Sequence, residues 1–125
     1  MQDRFKFRAW LKDTNKMYNV HSLHIGTNKA IISSRHGNVS VYINKNTILM
    51  QSTGLKDKNS KLIYEGDRVY IDCEDKTAII KWSDDLARFT IHFEDEAVFA
   101  DFDNYYSKEL EVIGNIYENS ELPKE

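Results

Sequence analysis

The feature that most narrows the possible folds is a period-two rhythm of apolar residues. In residues 77–82, Ala78, Ile80 and Trp82 recur at every second position. In residues 88–93, Phe89, Ile91 and Phe93 do the same, against Arg88, Thr90 and His92. Side chains of an extended chain alternate between two faces, so the rhythm predicts strands with one buried face. Ser83-Asp84-Asp85-Leu86-Ala87 turns between the two runs, and together they predict a β-hairpin. Val69 and Ile71 share a face in residues 68–72, and residues 111–117 read as a last strand. Strands this short, separated by tight turns, bury their faces and edges most economically in a closed or nearly closed small barrel.

The first half carries the same rhythm. Phe5, Phe7 and Ala9 alternate with Lys6, Arg8 and Trp10. This predicts an apolar core face for the first set and an open face for the second. Asp13-Thr14-Asn15-Lys16 has turn chemistry, because Asp and Asn bond their own backbone and tolerate bent conformations. Residues 17–25 return as a second strand. Residues 30–34 and 39–43 flank Arg35-His36-Gly37-Asn38, where Gly37 supplies positive φ for another hairpin. Residues 47–51 are apolar but ambiguous in type. Asp57-Lys58-Asn59-Ser60 is a turn, and Glu65-Gly66-Asp67 breaks the chain again, with Gly66 in a conformation that a Cβ forbids. A helix is expected in residues 101–110.

The expected fold class is therefore mainly β with minor α: a small SH3-like barrel in the C-terminal half plus an N-terminal β-hairpin-rich subdomain. The division falls at residues 1–52 and 53–125, within what is also readable as one compact unit. A chain of 125 residues buries enough surface to need no disulfide or metal staple. One cysteine, Cys73, excludes an internal disulfide and fits a reducing compartment. The start, MQDRFKFRAW, has no apolar run fit for a signal peptide, and no stretch reaches the ~20 apolar residues of a membrane span. A cytoplasmic location without membrane contact is expected.

Charge is unevenly spread. Residues 1–50 hold eight Lys/Arg against two Asp/Glu, a net of +6, whereas residues 51–125 hold nine against eighteen, a net of −9. Such a split suits halves that attract each other, within one chain or between copies, or a basic surface for nucleic acid. The acidic half disfavours the second reading, since it repels phosphate.

Several segments resemble the YopX family of phage and prophage proteins: RFKFRAW, ILMQSTGLKDKN, KLIYEGDRV, IIKWSDDLARF and IGNIYEN. The resemblance is spread from Phe5 to about Asn119. It implies a phage or prophage setting and an SH3-like barrel in the C-terminal portion. The family carries no assigned activity, so no catalytic or ligand residues are carried over. Members commonly have Asn-Gly where this chain has Asn59-Ser60. Ser enters positive φ less readily than Gly, which weakens the expectation of a tight turn there.

No catalytic constellation stands out. His21 and His24 lie three apart, which on a strand sends them to opposite faces, and His36 and His92 lie elsewhere. Neither a metal nor a cofactor is expected. Asp84, Asp85 and the run Glu94-Asp95-Glu96 read as solvated turns, since acid–base work needs carboxylates in unlike environments. Acidic neighbours Glu74 and Asp75 raise the thiol pKa of Cys73 and oppose its activation. The expected protein is not an enzyme. It is a protein-interaction or assembly module that engages an unidentified protein partner or its own copies. The alternative is a nucleic-acid-binding accessory protein. The candidate interaction surface is Arg4, Lys6, Arg8, Trp10, Lys12 and Lys16, with Trp10 as a stacking platform or anchor. The competing structural role packs Trp10 beneath the other half of the fold.

Overall fold

A computed structural model describes residues 2–95, 97, 99–103 and 107–118. Strand dominates it, as the alternation requires. A 3-10 turn, Gln2–Phe5, leads into β1 (Phe7–Leu11), β2 (Lys16–His24), β3 (Lys29–Ser34), β4 (Gly37–Tyr42), β5 (Thr47–Lys56) and β6 (Leu62–Tyr64). Then follow β7 (Asp67–Ile71), β8 (Lys76–Ser83), β9 (Arg88–Phe93), β10 (Phe99–Asp101) and β11 (Leu110–Asn115). All ladders are antiparallel. One sheet has the order β4-β3-β2-β1-β5-β6 and the other β10-β9-β8-β7-β11. The second is a ladder with β10 and β11 at its ends; among the described residues no strand pairing joins those ends.

The turns behave as their residues dictate. Gly37 sits at φ 115° between β3 and β4, and Asn15 at φ 55° between β1 and β2. Ser60 adopts φ 67°, so the Asp57–Ser60 turn closes despite lacking Gly. Its closure comes from Asp57. The buried carboxylate accepts the backbone N–H of Asn59 and of Lys61 on Oδ1, each at 2.8 Å. The ambiguous apolar piece at 47–51 is the first part of the longest strand, β5. Because β5 runs through position 53 and pairs with β6, the first sheet draws on residues up to Tyr64. The helix expected in 101–110 falls partly outside the described residues, and Asp101 belongs to β10.

The second sheet holds the main core. Val69, Ile71, Ala78, Ile80, Ile91 and Leu110 are fully buried together with Ile63 from β6, and Phe89, Phe93, Phe102 and Val112 pack against them. Burial of each such branched side chain contributes roughly 1.5–3 kcal/mol. Two expectations from alternation need correction. Trp82 is 44% exposed and meets Phe89 edge-to-face at 5.0 Å, outside the core. Phe5 lies in the 3-10 turn and is 55% exposed, so it takes no part in a strand face. Ile79, one residue out of phase, is buried instead. It shares a cleft with Ile48 and Met50 of β5, which shows why: the first sheet lies against that side of β8.

Backbone bonds stitch the sheets together. Gly66 N–H donates to the Ile80 carbonyl at 2.7 Å, and the Gly66 carbonyl accepts from Ile116 N–H at 3.0 Å. Gly66 has φ 90°, and a Cβ there would lie 3.1 Å from the Met50 sulfur. This meets the expectation of a residue without a side chain at that break.

Candidate interaction site

Alternation along β1 places Arg8 and Trp10 on one side of the first sheet. That side faces the second sheet, so neither side chain is open to solvent. Arg8 Nη2 lies 2.8 Å from Asp67 Oδ1, and the two side chains are only 12% and 2% exposed. Arg8 also donates to the Glu65 carbonyl at 3.3 Å, and its guanidinium sits 4.7 Å from the Tyr64 ring centroid. Asp67 in turn accepts the Tyr64 N–H at 2.8 Å. Burial pushes the Asp67 carboxyl above its ordinary value, while the Arg8 charge and the Tyr64 amide pull it back. Trp10 is 7% exposed and stacks on Tyr117, with centroids 5.6 Å apart.

The six residues singled out from the sequence therefore separate. Arg8 and Trp10 belong to the seam between sheets, and Trp10 takes its structural role there. Arg4 lies over the Phe5 ring at 4.6 Å, and Lys6 pairs with Asp3 at 3.3 Å, both at the surface of the leading turn. Lys12 and Lys16 are exposed and flank the β1–β2 turn. Periodicity alone put Arg8 and Trp10 on an open face, because it reports which residues share a side and not what covers that side.

The cationic surface that does form lies further out. From Thr14 through Lys56 the sequence contains no Asp or Glu. This span is β2, β3, β4 and β5, three of which make the outer part of the first sheet. At one end, Lys16, Tyr18, Ser33, Ser34, Arg35 and His36 line an open cleft of about 450 Å³. The register explains the grouping, since β2 and β3 run antiparallel and bring the β1–β2 and β3–β4 turns to one end. The nearest acidic residue in sequence is Asp13, in the β1–β2 turn. The second sheet exposes the opposite charge at Asp84, Asp85 and Asp95 on its turns, whereas Glu94 and Asp101 are paired with Arg68 and Arg88.

The remaining chemistry-bearing residues stay apart. His92 stacks on Phe99 at 5.1 Å and shares a hydrogen bond with Thr90 Oγ1 at 3.0 Å. Burial, helped by Lys81, lowers its pKa. The Cys73 thiol is exposed and donates to Glu109 Oε1 at 3.1 Å. That bond first, and partial desolvation second, raise its pKa, so the thiol is held in its unreactive form. Glu109, distant in sequence, is the main cause; Glu74 adds a smaller Coulombic contribution. Among the described residues no three His, Cys, Asp or Glu side chains gather as a metal set, and no helix is long and apolar enough to cross a membrane.

The architecture is shared with solved structures. Protein EF1440 from Enterococcus faecalis is 30% identical and superposes with a TM-score of 0.64, over 95% of this chain and 97% of that one. YopX from Bacillus subtilis is 21% identical with a TM-score of 0.57, over 97% of this chain and 99% of that one, and so shares the fold. No curated protein matches the sequence. The YopX protein family matches residues 6–124, nearly the whole length, and the chain belongs to that family.

Proposed function

We propose that the protein is a non-enzymatic assembly module of phage or prophage origin, acting in the host cytoplasm by associating with copies of itself. One observation carries this reading: opposite charges sit on different sheets. The outer strands of the first sheet hold no carboxylate, and the second sheet exposes Asp84, Asp85 and Asp95. A basic surface on one copy then meets an acidic surface on the next, a head-to-tail contact that builds rings or open chains. Such contacts are screened beyond a Debye length of about 8 Å at physiological salt. Light scattering across a salt series tests it. Mass above the monomer at low salt, falling as salt rises, is expected; a monomer at every salt concentration defeats the reading.

The cleft at Lys16 and Arg35 favours one alternative, a nucleic-acid accessory role. Its lining groups are hydrogen-bond donors beside an aromatic ring, which suits a phosphate and a stacked base. This version rests on Tyr18 where the sequence suggested Trp10. A labelled single-stranded oligonucleotide at low salt decides it: a shift that Lys16→Glu and Arg35→Glu both abolish supports it, and no shift removes it.

A further inference from the structure

Among the described residues four strands end the two sheets, and three of them are protected against pairing with another chain. β6 and β10 are each three residues long. β11 is bulged between Val112 and Gly114, and its open side is occupied by Lys58 N–H, which bonds the Leu110 carbonyl at 2.9 Å, and by the Asp57 carboxylate, which accepts Val112 N–H at 2.9 Å. Short edges, bulges and covering groups are the usual defences of a sheet edge.

β4 has none of these. It runs six residues, Gly-Asn-Val-Ser-Val-Tyr, in unbroken register with β3. It contains no charge and no proline. Val39 is 45% exposed and Tyr42 61%. Its bonding directions follow from the ladder. Ile43 N–H donates to the Asn28 carbonyl at 2.8 Å, so Ile43 bonds inward. Antiparallel bonding alternates, hence Gly37, Val39 and Val41 also face β3, and Asn38, Ser40 and Tyr42 direct their N–H and C=O groups outward. Among the described residues no other element reaches these backbone groups.

We propose that β4 pairs with β4 of a second copy about a two-fold axis at Ser40, joining two first sheets into one continuous sheet. The outward groups are self-complementary in that register. Asn38 meets Tyr42 of the second copy, Ser40 meets Ser40, and every outward donor finds an acceptor. Val39 and Val41 lie opposite each other and cover their exposed apolar surface. A shared sheet edge of this kind is an isologous interface, the commonest symmetry among homodimers. The contact is made of backbone hydrogen bonds and apolar side chains on a strand without charge, so salt that screens a charged contact leaves it in place. This contact rests on the assembly reading but differs from its head-to-tail contact, which salt weakens.

Sedimentation velocity of the full chain at rising salt, with amide hydrogen exchange, tests the proposal. The expected result is a dimer that remains at salt high enough to screen the head-to-tail contact, with exchange at Asn38, Ser40 and Tyr42 slowed at least several-fold on dimer formation. Ser40→Pro removes an outward N–H and leaves the β3 bonds in place; it should abolish the dimer while keeping the circular dichroism of the native sheet. As a second variant, Val39→Lys sets a charge against the apolar Val41 of the second copy at an exposed position and should also abolish the dimer. A dimer unaffected by both variants overturns the proposal, as does unchanged exchange along β4. If mass falls with salt and β4 exchange stays fast, head-to-tail assembly stands and the β4 contact fails. A monomer at every salt concentration removes both.

Discussion

Arg8 and Asp67 form an ion pair across the seam, 2.8 Å apart, with Arg8 from the first sheet and Asp67 opening the second. Both are almost out of water, so the pair ties the sheets together only while both charges are present. Removing one partner leaves the other buried without a countercharge, a loss of about 3–5 kcal/mol. Asp67→Asn and Arg8→Met should each destabilise by that order in urea unfolding. The double change Arg8→Met with Asp67→Leu should cost much less than the sum of the single changes. A cost under 1 kcal/mol for Asp67→Asn would mean that solvent reaches the pair.

Asp57 performs a second tethering task. Its carboxylate accepts from Asn59 and Lys61 within the turn and from Val112 on β11. One side chain thus shapes a local turn and closes an edge of the other sheet. Hydrogen bonds to a charged acceptor contribute about 1.5–3 kcal/mol each at most, and they are not additive. Asp57→Ala should destabilise by about 3 kcal/mol and speed amide exchange at Val112. If only Asn59 and Lys61 exchange faster, the link to β11 is not holding.

Much of this was legible in the sequence, for reasons that also mark where it stopped. Strand rhythm depends on neighbours two apart, so β8, β9 and their hairpin could be read directly. Gly37 and Gly66 announced positive φ because few other residues adopt it readily. Ser60 shows the converse: a residue with a weaker preference is driven to φ 67° by a carboxylate three positions earlier. The burial of Trp10 and Arg8 depends on Tyr117 and Asp67, which no local spacing relates to β1. The openness of Trp82 has the same origin, since its rhythm matches Ile80 but the core ends one residue pair sooner. The cationic outer surface was visible as a charge split, yet its members, Lys16 with Arg35, required the strand order.

The two tryptophans occupy opposite environments and should report them separately. Trp10 is 7% exposed on Tyr117, and Trp82 is 44% exposed, donating its indole N–H to Asp84 at 2.9 Å. Truncating a buried Trp costs about 3–5 kcal/mol, so Trp10→Ala should unfold at much lower urea than Trp82→Ala, whose cost should stay near 1 kcal/mol. In acrylamide quenching, Trp82→Phe should leave a protected emission and Trp10→Phe an accessible one. Equal quenching in both variants would contradict the seam packing of Trp10.

Acid response should be dominated by Glu94. Arg68 Nε donates to both its carboxylate oxygens, at 3.0 and 3.1 Å, and these bonds, more than any other cause, lower its pKa. A carboxyl depressed in the folded state stabilises above its unfolded value, about 4.3, and that stabilisation is lost as pH falls through the folded value. Glu94→Gln should therefore cost about 1 kcal/mol at pH 7, in keeping with a partly exposed pair, and nothing once pH lies below the folded value of Glu94. Urea unfolding of both proteins from pH 7 down to pH 3 measures the gap. If it stays constant over that range, Glu94 contributes through packing and its charge is irrelevant to stability.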